Sequence, residues 1–86
     1  MFSYKPLKRL LVEKEMSKTE FMNYMGFSSS TTAKIWKNEN VALSILDDIC
    51  NKLECKISDV IEHIPSDDYI DEDGRYVLKI KDNVQK

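Results

Sequence analysis

Glycine and proline are scarce in this chain of 86 residues, with 2 of each, which excludes a loop-rich or low-complexity protein. Histidine occurs once, as His63, and the two cysteines, Cys50 and Cys55, stand five apart. No CxxC pair and no four-ligand zinc set can be assembled from these residues in one chain, so no metal and no cofactor is expected. The cysteines read as core thiols, Cys50 sharing a helical face with Leu46 and Leu53. No apolar run approaches the roughly 18 residues of a membrane span, and no basic-then-apolar leader precedes a cleavage site. The expected location is therefore the cytoplasm, with no membrane partner. There is no nucleophile elbow and no P-loop, and the carboxylates mostly crowd one expected turn, so enzymatic activity is not expected.

What is present is an ordinary soluble composition, 42% hydrophobic and 33% charged. At this length the chain is one small domain, near the lower size at which a hydrophobic core suffices without staples. Its core must be compact and helical. A net charge of −2 argues against nucleic acid only if charge is spread evenly, and it is not. Through Lys37 the seven basic residues Lys5, Lys8, Arg9, Lys14, Lys18, Lys34 and Lys37 outweigh Glu13, Glu15 and Glu20, a balance of +4. From Asn38 onward six basic residues face twelve acidic ones, a balance of −6. Such asymmetry is the pattern of a chain of which one end meets an anionic partner.

Residues 18–37 have the layout of two short helices around a tight turn. Ser17 and Glu20, at S-x-x-E spacing, form a capping box that starts a helix near Lys18. Phe21, Tyr24 and Met25 give it an apolar face, and Gly26 follows where a helix stop wants a residue tolerant of positive φ. Any of Ser28, Ser29 and Ser30 can cap the second helix. Thr32, Ile35 and Trp36 form one side of it, while Ser30, Ala33, Lys34 and Lys37 form another at i, i+3, i+4, i+7. Short hydroxyls and alanine let a helix approach a major-groove floor, and lysines reach the flanking phosphates. A solvated face has the same composition, and spacing alone does not choose between them.

Before this stretch, Leu7, Leu10 and Leu11, with Tyr4 one turn earlier and Pro6 in the first turn, predict a first helix. Lys5, Lys8 and Arg9 lie off its leucine face. After Lys37, Asn38 is suited to the left-handed conformation that closes a helix. Leu43, Leu46, Cys50 and Leu53, with Ile49, mark a fourth helix. Ile57 and a capping Ser58 introduce an expected short fifth helix with Val60, Ile61 and Ile64, stopped by Pro65. Beyond it the character changes to an acidic run, and Asp73-Gly74 between Tyr69-Ile70 and Tyr76-Val77 is a hairpin signal.

This order of elements, carried by MSKTEF, MGFSSST, AKIWKNENV, LDDICNKLEC and ISDVIEHI, resembles the Xre-type, phage-repressor-like (Cro/repressor) helix-turn-helix domain. The resemblance implies an all-α fold, a compact five-helix, lambda-repressor-like domain over residues 1–65; outside it, the composition of 66–86 gives an acidic C-terminal extension that is expected as a β-hairpin or a mobile tail. The resemblance also implies a transcription regulator without catalytic activity, a homodimer bound to double-stranded DNA with no small-molecule substrate. Ser29, Ser30, Ala33 and Lys34 would meet base edges, and Lys37, Thr19, Lys18, Lys8 and Arg9 would meet phosphates. Thr19 stands where such domains often carry glutamine. Met22 stands where alanine is preferred for close helix approach, Thr32 where a buried aliphatic residue is usual, and Ala42 where Ser or Thr would cap the fourth helix. The different reading left standing by the charge balance is a protein-interaction module, antitoxin-like or an anti-repressor partner, using the acidic carboxyl end on a basic protein.

Overall fold

The computed structural model describes residues 1–65, 69–72 and 75–78. Its order is β1 (Phe2–Ser3), α1 (Lys5–Glu13), α2 (Lys18–Met25), α3 (Ser29–Trp36), α4 (Leu43–Leu53), a 3-10 turn (Ile57–Asp59), β2 (Glu62–His63), β3 (Tyr69–Glu72) and β4 (Arg75–Leu78). The apolar rows converge on one core. Tyr4, Leu7 and Leu11 enter it from α1 and its lead-in, Phe21 and Met25 from α2, Ile35 from α3, Leu46, Ile49 and Leu53 from α4, and Val60 from the segment after it. Thr32 joins this interior 1% exposed, its hydroxyl donating to the Ser28 carbonyl at 3.1 Å. Cys50 and Cys55 are free, half-buried thiols packed against the same core. Burial raises the Cys55 pKa, and the neighbouring Cys50 adds to the effect.

Helix ends explain how so few glycines suffice. Each of the four helices closes on a residue with positive φ: Glu15 at 55°, Gly26 at 76°, Asn38 at 59° and Glu54 at 53°. After each of them the next amide folds back five residues, Met16 to Leu11, Phe27 to Met22, Glu39 to Lys34 and Cys55 to Cys50. These bonds satisfy carbonyls that a helix end leaves without an internal partner. Only one of the four positions carries the residue that adopts this conformation without a Cβ penalty.

The expected fifth helix does not form. Its residues make the 3-10 turn Ile57–Asp59 and then β2, which pairs antiparallel with β1, Phe2 opposite His63 and Ser3 opposite Glu62. The expected cap Ser58 lies inside that turn, and the Lys56 amide instead donates to Asp59 Oδ2 at 3.0 Å. The physical reason is competition for backbone bonds. Ile64 N–H donates to the Met1 carbonyl at 2.7 Å, and Leu7 N–H donates to the Val60 carbonyl at 3.3 Å. A short run rich in β-branched residues gains more from these bonds than from one further helical turn. The described fold is thus four helices with small antiparallel strand pairs, and not five helices.

Two residues of the expected apolar faces stand elsewhere. Leu43 is 80% exposed, on the rim of a groove lined also by Phe2, Val41 and Ile57. Tyr24 is 52% exposed, and its hydroxyl donates to the Lys52 carbonyl at 3.0 Å, tying α2 to α4 by its polar end. Ala42 occupies the N-cap of α4 without a side-chain bond, and the half-buried Met22 sits on α2 as the sequence places it. β3 and β4 pair antiparallel, Glu72 opposite Arg75. The turn at Asp73-Gly74 lies outside the described residues.

Candidate nucleic-acid interface

The presentation of α3 begins with caps. In the capping box before α2, Ser17 N–H donates to Glu20 Oε1 at 2.8 Å and Glu20 N–H to Ser17 Oγ at 3.1 Å. Of the three candidate caps for α3 the chain uses Ser28, whose Oγ accepts from Thr31 N–H at 3.2 Å. Ser29 is therefore the first helical residue. Between these caps Gly26 reverses the chain, so that α2 and α3 pack on each other through Phe21, Phe27 and Trp36.

With Thr32 and Ile35 held in the core, helical geometry turns the opposite row outward. Ser29, Ser30, Lys34 and Lys37 are exposed and Ala33 is half-buried among them. The Ser30 hydroxyl lies 3.0 Å from that of Ser28, which leaves it bonding capacity for a further partner. Lys18 and Thr19 open α2 and are exposed. Among the described residues Lys18, Lys34 and Lys37 have no carboxylate partner, so their charge is not neutralised within the fold.

Lys8 is half-buried and directed at α3, its ammonium donating to the Trp36 carbonyl at 3.3 Å and lying 5.8 Å from the indole centroid. Lys18 approaches the same ring at 5.4 Å. The Trp36 ring also meets Phe21 of α2, with centroids 5.9 Å apart. Arg9 is not brought to this surface. It lines a separate groove between α1 and the segment after α4, together with Glu13, Asp59 and Glu62.

Sequence reasoning missed two supporting arrangements. Tyr4 N–H donates to Asn38 Oδ1 at 2.9 Å and its hydroxyl donates to the Glu39 carbonyl at 3.0 Å, anchoring the loop after α3 to the start of α1. Burial raises the phenol's pKa, which keeps the hydroxyl a donor. Trp36 carries two ammonium groups and not only an apolar contact. No one-dimensional pattern marks either arrangement, because each joins residues on separate elements far apart in the chain.

A capped helix, a left-handed glycine and a second helix with a polar, basic outer row, buttressed by two more helices, define a helix-turn-helix DNA-binding module. The chain belongs to the Cro/C1-type HTH DNA-binding domain family, whose model matches residues 6–66. Its fold is similar to the crystal structure of the transcriptional regulator VanUg, Form II, with a TM-score of 0.72 and 45% sequence identity over 76% of this chain and 87% of that one. No curated protein matches the chain significantly. Among the described residues no helix is long and apolar enough to cross a membrane, and no group of three metal-ligating side chains converges.

Proposed function

We propose that the chain is a sequence-specific regulator of transcription that binds double-stranded DNA as a homodimer in the cytoplasm, with α3 and Lys37 in the major groove. Ser29, Ser30, Ala33 and Lys34 meet base edges, and Lys37, Lys18 and Thr19 meet the flanking phosphates. Arg9, beside Glu13, Asp59 and Glu62, contributes less to this set than its charge implies. Lys8, whose ammonium is engaged at the end of α3, has a different part in it. The observation that carries the reading is the outward row of α3, in which small polar residues lie beside lysines that have no carboxylate partner among the described residues. Small side chains permit close approach to the groove floor, and free ammonium groups exchange their counterions for phosphates.

Residues 1–65 form the DNA-binding unit in this reading. Two copies would read half-sites about 34 Å apart, one turn of the duplex. The test is a selection of bound sequences from random DNA, followed by titration of the selected duplex at several salt concentrations. A recurrent motif in two related halves is expected. Lys34→Ala should weaken binding and flatten the log–log salt dependence by about 0.9 if its ammonium meets a phosphate. If it serves only a base edge, the motif changes at one position instead. Binding indifferent to salt, to sequence and to Lys34 would falsify the reading.

A further inference from the structure

Two lysines from different helices converge on the chain's single tryptophan. Lys18, at the start of α2, places its ammonium 5.4 Å from the indole centroid, and Lys8, on α1, places its own 5.8 Å from it. The two also differ. Lys18 is exposed, whereas Lys8 is half-buried and bonded to the Trp36 carbonyl.

That carbonyl completes the end of α3. Of the last four carbonyls of the helix, Ala33 and Lys34 accept from Lys37 N–H, Lys34 also accepts from Glu39 N–H, and Ile35 accepts from Asn38 N–H. Trp36 is the one closed by a side chain, and that side chain comes from α1. A cation at this place also opposes the partial negative charge of a helix carboxyl end. On its ring, a tryptophan face holds an ammonium by its quadrupole and leaves the outward N–H groups free for another acceptor. Neither lysine has a carboxylate partner among the described residues, so the acceptor that fits Lys18 is anionic and external.

We propose that Lys8 and Trp36 are positioning residues for DNA binding: Lys8 fixes the carboxyl end of the recognition helix, and the Trp36 indole holds Lys18 extended toward a backbone phosphate. The roles separate two lysines that look alike in sequence. Lys18 meets the nucleic acid, and Lys8 shapes the helix that reads it. The proposal rests on duplex binding by this chain.

The test measures affinity against salt for the wild type, Lys18→Met, Lys8→Met, Trp36→Leu and Trp36→Phe, each checked for helix content by circular dichroism. Lys18→Met should flatten the log–log slope by about 0.9, as the loss of one phosphate contact does. Lys8→Met should weaken binding roughly two- to five-fold with the slope unchanged. Trp36→Phe should retain most of the affinity because it keeps an aromatic face. Trp36→Leu should lose roughly two- to five-fold, and Lys18→Met should cost less in that background than in the wild type. If Trp36→Leu does not fold, the Lys8→Met slope and the Trp36→Phe affinity decide. Equal flattening by Lys8→Met and Lys18→Met, or full additivity of the Trp36 and Lys18 changes, overturns the positioning roles while duplex binding stands. A wild type that binds no selected duplex overturns both.

Discussion

The backbone N–H of Tyr4 donates to the side-chain oxygen of Asn38 at 2.9 Å, joining the residue before α1 to the residue that closes α3. Asn38 thereby does two things at once, since it also carries the left-handed φ of 59°. Replacing it separates these costs. Asn38→Gly keeps the conformation and loses the acceptor, leaving a buried amide unpaired at about 1–3 kcal/mol. Asn38→Ala adds roughly 1 kcal/mol for the left-handed backbone. Urea unfolding of both variants should rank Ala below Gly below the wild type. Equal stability of the two variants would show that the conformational cost is absent.

The same backbone conformation predicts opposite effects at two other helix ends. Gly26 has φ of 76°, and a Cβ built on it meets nothing within 4 Å. Gly26→Ala should therefore cost only the conformational penalty, about 1 kcal/mol. Glu54, at φ 53° after α4, is the reverse case. Glu54→Gly should gain roughly 0.5 kcal/mol, the relief of strain being partly offset by a more flexible unfolded chain. Thermal denaturation reads both, and a stabilised Gly26→Ala or a destabilised Glu54→Gly would contradict the argument.

Glu20 supplies the pH dependence. Its carboxylate accepts from the Ser17 backbone and is further held by the Ser17 side chain, and both lower its pKa. Because the folded value lies below the unfolded one, the stability it adds is fully present above the ordinary glutamate range and is lost as pH falls through the lowered value. Ser17→Ala should raise the Glu20 pKa toward the ordinary value, with the backbone amide still donating, and shorten α2 at its start. A carbon-detected NMR titration of Glu20 in both proteins measures this. An unmoved midpoint would mean that the side chain of Ser17 contributes nothing.

Thr32 is buried with its hydroxyl on the Ser28 carbonyl at 3.1 Å, but that carbonyl also accepts from the Thr32 amide at 3.1 Å. Thr32→Val removes the buried hydroxyl and leaves no acceptor unpaired, so stability should stay within about 1 kcal/mol of the wild type or rise. DNA affinity should not change, because Thr32 faces away from Lys34. A loss beyond about 3 kcal/mol would show that the hydroxyl bond fixes the start of α3.

How much of this was legible follows from what each residue needs. The boundaries of α2 and α3 were readable because local chemistry sets them, in the Ser17–Glu20 box, at Gly26 and in the serine run. The outward row of α3 was readable because 3.6-residue geometry fixes it once Ile35 is buried. The ends of α1 and α4 carried no such mark, since Glu15 and Glu54 do the work of glycine. The segment from Ile57 to Ile64 misled for a related reason. Eight residues with apolar members at mixed spacing suit a helix or a strand equally, and the decision came from Met1 and Leu7, far away in sequence. Lys8 and Arg9 looked equivalent as neighbours in one basic run, and only the fold sent one to Trp36 and the other to an acidic groove.

The pairing of β1 with β2 closes the domain in space and is expected to close it in time as well. Met1 and Ile64 exchange backbone bonds at 2.7 Å in both directions, and the Phe2 ring meets His63 edge-on. Among the described residues the other strand pair, β3 with β4, joins residues much closer along the chain. Helical packing among α1 to α4 involves mostly shorter separations and less loop-closure entropy, so the β1–β2 pair is expected to form after most of the folding barrier has been crossed. Contacts made that late scarcely alter how fast a chain folds. They govern how slowly it opens, so the pairing of Met1 with Ile64 is expected to act as a brake on unfolding rather than a guide to folding.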